Sequence, residues 1–243
     1  MTEIKFEREL EIFRTEEETA QQYFFSYLSV RSLAGTNSEV LKMMNTTPLF
    51  WATTHHAMLL SAFVALGRIF DQNSKHNIDT LISAASKDIS AFSRIALAAR
   101  KQASGLTQAD AAAYVADKHE LTSNDVRQLR NEIAPWRRVY EDHYRDIRHK
   151  VFAHKALSTL EEVNELLAKT NVDEMRALFR FMSALYSTLW EAFHNGSQPS
   201  LNLKDFVLPP DQRSPGQEML PGEKVYREGH VVLTSMLPNS KSR

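Results

Sequence analysis

Residues 140–157, YEDHYRDIRHKVFAHKAL, crowd ionisable side chains onto one helical stretch. Most of these charges have a partner one turn away: Glu141 lies four residues before Arg145, and Asp146 four before Lys150. Arg148 has none. Its neighbours at three and four residues are Tyr144, Arg145, Val151 and Phe152. A guanidinium without a local carboxylate is available to a phosphate, and an imidazole titrating near neutrality can exchange a proton beside it. Here His149 follows Arg148 at once, and His154 comes six residues later. The structural alternative is that Arg148 pairs with another helix or reaches solvent.

The same residues carry a family likeness. Arg148-His149-Lys150-Val151-Phe152-Ala153-His154 resembles the Arg-x(4–6)-His signature of the HEPN superfamily, in which a polar residue often follows the Arg. The phrase KVFAHKAL, with an upstream ALGRIFD that contains Arg68 and Asp71, resembles the abortive-infection AbiU-like branch, over roughly residues 5–196. The resemblance implies an all-α, HEPN-like antiparallel helical bundle. It also implies a homodimer in which two copies of this helix line one cleft. Six residues on an ideal helix are about 9 Å apart along the axis and about 120° around it, so one helix does not bring Arg148 and His154 together.

The activity implied is metal-independent cleavage of RNA by a toxin or phage-defence effector. His154 would move the proton of a ribose 2′-hydroxyl or of the leaving 5′-oxygen, and Arg148 would balance charge building on the phosphoryl oxygens. His149 and Arg145 would be auxiliary phosphate contacts. Partners on this reading are RNA, a second copy of the chain and an antitoxin protein, without a membrane. The alternative is a non-catalytic HEPN module that binds RNA, a nucleotide or a protein with the same strip. A third reading is a helical scaffold in which Arg148 and His154 are structural. Arg68 and Asp71 receive no catalytic role, and their spacing predicts an ion pair within one helix.

Metal chemistry has weaker support. Glu191-x-x-His194 has the spacing of a di-iron helix pair, and Asp146-x-x-His149 is a looser second. A di-iron bundle wants two such pairs and two further carboxylates, so no metal or other cofactor is expected, and Glu191 and His194 read as an exposed helix end. His55 and His56 face different ways, one of them as a satisfied core histidine. Trp51, Trp136 and Trp190 read as packing anchors. Phosphate loops rich in glycine, nucleophile elbows and dinucleotide fingerprints are all missing from the sequence.

Composition narrows the classes further. A net charge of −1 over 243 residues argues against non-specific coating of nucleic acid. The charge is uneven, however. Residues 1–18 hold seven Glu against three basic residues, and residues 127–155 hold eight Arg or Lys against four acids. There is no cysteine, which fits a reducing compartment. The first residues lack a secretory apolar core. The run Ala57–Gly67 is too short to span a bilayer and reads as a buried helix, so a cytoplasmic protein is expected.

Helical periodicity positions these side chains. Apolar residues from Ile4 to Leu28 predict a long first helix ending near Gly35. Ser38 caps a short helix, and Pro48 opens one that runs to about Asp71. Gly67 inside that helix costs about 1 kcal/mol of propensity, which a close helix crossing would explain. Asn77 or Asp79, Ser86, Thr107, and Ser123 or Asn124 start the following helices. Pro135 is expected to kink or divide the last of these ahead of Arg148. Ser158 with Glu161, and Asn171 with Glu174, form capping boxes, and the final long helix stops at Gly196. Six of eight prolines and four of seven glycines fall in residues 196–243. This predicts a helical domain over 1–196 and an extended tail over 197–243, with short strands at Lys224–Tyr226 and His230–Leu233.

Overall fold

The structure is a computed structural model that describes residues 5–148, 171–209, 216 and 218–237. The described residues form helices and loops, with no strand among them, so the fold is all-α and consistent with a HEPN helical bundle. The helices are α1 (Lys5–Thr36), α2 (Ser38–Met44), α3 (Pro48–Phe70), α4 (Ile78–Lys87), α5 (Arg94–Ala103), α6 (Gln108–Val115), α7 (Ser123–Val139), α8 (Val172–Asn195) and α9 (Pro221–Ser235). A 3₁₀ turn, Ile89–Phe92, links α4 to α5.

The chain divides into two compact units, residues 1–17 with 67–204, and residues 18–66 with 205–243. The first unit is built on aromatic packing. Phe6, Phe92 and Phe193 meet with ring centres 4.8–5.3 Å apart. Trp136 stacks on the buried Phe181 at 5.1 Å, as expected of an anchor. Helix α8 starts where the Asn171 side chain accepts the Glu174 N–H at 2.7 Å. It stops at Gly196, whose φ of 63° suits a residue without a Cβ. Thr122, one residue before the positions expected, caps α7 through a reciprocal pair with Asp125.

Helix α7 runs unbroken through Pro135. The missing N–H orphans only the carbonyl of the exposed Asn131, which water can satisfy. The break comes five residues later. Tyr140–Tyr144 adopt a π turn, in which the N–H of Arg145 reaches back to the carbonyl of Tyr140, and residues 147 and 148 are again π-helical. Such wide turns inside helices are frequent at functional sites.

In the second unit, α9 takes the place of the two expected strands. Pro221 sits in its first turn, and Glu223, fully buried, accepts the N–H groups of Leu220 and Val207 at 2.9 and 2.7 Å. Gly222, Tyr226, Gly229 and Leu233 repeat at helical spacing and form the face laid on α1. There Gln21 accepts the Gly222 N–H, and Ser29 donates to the Tyr226 carbonyl at 2.8 Å. The two glycines look like loop residues by composition, but their role is close helix approach. Val30, Val40, Met44 and Leu233 pack with Trp51 in the same unit.

The run Ala57–Gly67, expected as a buried helix, is mostly buried in its second half and partly exposed in its first. Burial begins only at Ala62, and Leu49 and Phe50 are 80% and 61% exposed. The whole helix, Pro48–Phe70, is long and apolar enough to cross a membrane by length and composition, properties it shares with core helices. His55 is half-buried, edge-on to Tyr27, and its burial and then Arg31 lower its pKa. Its Nε2 has no hydrogen-bond partner among the described residues, so it is not the satisfied histidine expected.

Candidate functional site

The end of α3 and the π turn after α7 build one site in the first unit. Asp71 follows the last residue of α3, where its N–H still bonds to the Gly67 carbonyl at 2.9 Å. The negative end of a helix dipole is a poor place for a carboxylate unless a cation meets it. Arg148 is that cation. Its Nη1 donates to Asp71 Oδ2, and both side chains are largely buried, 23% and 13% exposed. The other carboxylate oxygen accepts the Tyr140 hydroxyl at 3.0 Å. Tyr140 is fully buried and stacked on Phe70 at 5.1 Å. Burial first, and then the Asp71 charge, push its phenol well above the ordinary value, so it remains a donor.

Gly67 completes the seat. A Cβ there would meet the Arg148 side chain, 2.5 Å from Cδ and 2.7 Å from Cζ. The arginine therefore lies flat over a bare stretch of helix backbone. Sequence reasoning expected a close approach at Gly67. What approaches is a guanidinium and its stem.

Behind Asp71 the chain is held rigid. Asn77, buried at the start of α4, donates to the carbonyls of Asp71, Gln72 and Ser74 at 2.9–3.1 Å, while its Oδ1 accepts the Thr80 N–H. One amide thus winds the loop 71–77 into a fixed shape. That loop, with Gly67, Arg68, Glu141, Arg145 and Arg148, encloses a cavity of about 490 Å³.

The ion-pair expectations change places. Arg68 pairs with Glu16 at 3.2 Å rather than with Asp71. Arg148, expected to lack a partner within its helix, is joined to Asp71 from α3, the structural alternative raised for it. Arg145 was expected to pair with Glu141, yet no ion pair joins them among the described residues. The reason is the π turn, whose i→i+5 spacing takes residues 141 and 145 out of i,i+4 register. Arg145 is exposed and lines the cavity. His149 and His154 lie outside the described residues, as do Ser158 and Glu161.

Asp71, Tyr140 and Gly67 are site residues that sequence reasoning missed. A signal existed for two of them: a glycine one turn before an acid at a helix C-terminus, both unfavourable on local grounds. Tyr140 gave none.

The metal-spaced pair is otherwise engaged. Glu191 accepts from Asn195 at 2.8 Å and Ser197 at 3.3 Å. His194 packs between Trp190 and Phe193 and is half-buried rather than at an exposed end, and burial lowers its pKa. Among the described residues no three His, Asp or Glu side chains converge as a metal site.

Helices throughout the described residues are consistent with a HEPN-type module, and an arginine lies at the wall of a polar cavity within it. The family model described as AbiU2 matches residues 3–207, most of the chain, and the protein belongs to that HEPN family, related to abortive infection. Comparison with curated proteins finds no match, and comparison with solved structures finds none either.

Proposed function

We propose that this protein is a metal-independent endoribonuclease, a cytoplasmic toxin or phage-defence effector that works through a cleft shared by two copies. One observation carries the reading. Arg148, the head of the Arg148–His154 motif, is fixed by Asp71 at the wall of a polar cavity where Arg145 has no ion-pair partner among the described residues. A phosphodiester satisfies the open donors of two guanidinium groups at once.

The reaction follows from those groups. His154 accepts the proton of a ribose 2′-hydroxyl, and the 2′-oxygen attacks the neighbouring phosphorus. The bond from phosphorus to the 5′-oxygen breaks, and a protonated imidazole returns a proton to that oxygen. The products are a 2′,3′-cyclic phosphate and a 5′-hydroxyl. Arg148 offsets the charge that grows on the phosphoryl oxygens, and a fixed guanidinium does so without reorganising. Arg145 and His149 hold the flanking phosphate. DNA, without the 2′-hydroxyl, is inert. On this reading two copies of the chain together line one cleft, and each brings an Arg148 and a His154 to it. An antitoxin protein would act by covering that cleft.

The test is incubation of the purified protein with total RNA, with end-group analysis of the fragments. Cyclic phosphate termini that vanish in both Arg148→Ala and His154→Ala are the expected result. Equal cleavage by the two variants and the parent overturns the proposal. Saturable RNA binding without cleavage, falling steeply with salt, assigns the protein to the non-catalytic HEPN alternative. Equilibrium sedimentation checks the dimer separately.

A further inference from the structure

A second cavity lies beside the first. It measures about 470 Å³ and is lined by Lys5, Asn77, Asp79, Thr80, Ser83 and Lys87 among others. Gln72 lines both cavities, so they adjoin across the loop that Asn77 holds in shape.

The charge of the second cavity is one-sided. Its acid, Asp79, is taken by Arg137 of α7. Lys5 and Lys87 are exposed, and neither ammonium has an ion-pair partner among the described residues. The remaining polar lining is hydroxyl and amide, from Thr80, Ser83 and Gln72. Two ammonium groups, unpaired among the described residues, over hydroxyl and amide donors suit a phosphate, without the aromatic face or apolar wall that a base needs. The cavity therefore fits backbone rather than base.

We infer that the second cavity is a phosphate subsite for the same single-stranded RNA whose scissile phosphate sits at Arg148. The strand passes Gln72, and Lys5 and Lys87 hold a phosphate a few nucleotides away. This rests on the endoribonuclease reading and adds to it a preference for a continuous strand over a short one. The net charge of −1 on the chain is no obstacle, because the contact uses a local pair of cations.

The experiment measures anisotropy of labelled 2′-O-methyl oligoribonucleotides, which lack a nucleophilic 2′-hydroxyl, with the full-length protein. A 12-mer is expected to bind at least tenfold more tightly than a 4-mer. In the double variant Lys5→Glu, Lys87→Glu that advantage falls to within about twofold. The slope of log affinity against log salt falls by about 0.7, the value for one phosphate contact on a single strand. Lys42→Glu with Lys204→Glu removes the same charge elsewhere and leaves the 12-mer advantage in place. If thermal melting shows that Lys87→Glu disturbs α4, Lys5→Gln with Lys87→Gln gives the same reading with a smaller effect.

The inference is overturned if the two double variants behave alike while Arg148→Ala still weakens binding and the parent still cleaves RNA. The nuclease reading then stands and the subsite does not. If the parent neither binds nor cleaves RNA, both fall.

Discussion

Glycine brings groups into close contact in two places in this molecule, for opposite purposes. At Gly67 the visitor is a cation, and it comes to rest between a bare helix backbone and a single carboxylate. At Gly222 and Gly229 the visitors are Phe25 and Ser29, and they bring helix packing. The first arrangement spends helix propensity to hold a charge in one orientation. The second uses the missing side chains to let α9 settle on α1. A glycine in a helix therefore says only that something comes near. The chemistry of the visitor says why.

Substitutions can pull the two apart. Gly67→Ala should give the largest effect, because the added Cβ occupies the place of the Arg148 stem. On the proposed endoribonuclease reading, RNA cleavage is expected to fall about a hundredfold, the scale of a displaced catalytic group. Helix propensity offsets part of any strain by about 1 kcal/mol, so the protein should stay folded by circular dichroism. Unchanged cleavage would show that the guanidinium seat is incidental. Gly222→Ala should do the reverse. Its Cβ would lie 2.6 Å from the Cε2 of Phe25, an overpacking of about 1–3 kcal/mol read in chemical denaturation, with cleavage per folded molecule retained.

Asp71→Asn comes next. It keeps the shape and loses the charge, and cleavage should fall about tenfold, one charge-assisted hydrogen bond being worth at least that. Tyr140→Phe is the mildest. It leaves Asp71 Oδ1 without its hydroxyl donor and should cost about 1 kcal/mol of stability with a cleavage loss of a few fold. A Tyr140→Phe variant as impaired as Gly67→Ala would mean that the phenol itself touches substrate.

The sequence disclosed what local rules govern. Asn77, Thr107 and Asn171 cap the helices assigned to them, because a side-chain oxygen at a helix start satisfies an orphan N–H whatever lies beyond. Gly196 ends α8 for a reason equally local. The likeness that named the family was carried by residues around Arg148 and by the ALGRIFD stretch. What stayed hidden depends on elements distant in sequence. Asp71 and Arg148 are 77 residues apart, and only packing shows that one completes the other. The Glu141–Arg145 pair failed because nothing in the letters YEDHY marks a π turn. Helix α9 is hidden by composition, since Pro221 and two glycines suggest an extended tail although their spacing suits a helix face.

That π turn carries a consequence of its own. It sets how far round its helix Arg148 points when it reaches Asp71. An i→i+5 turn holds one residue more than an i→i+4 turn, so deleting a single residue between Tyr140 and Tyr144 would let the helix return to ordinary winding with Arg148 facing nearly as before. Deleting one residue from the regular part of α7 would instead turn Arg148 by about 100° and carry the guanidinium away from its carboxylate. The turn is thus the place where this helix can lose a residue and keep the seat, and α7 is the place where it cannot.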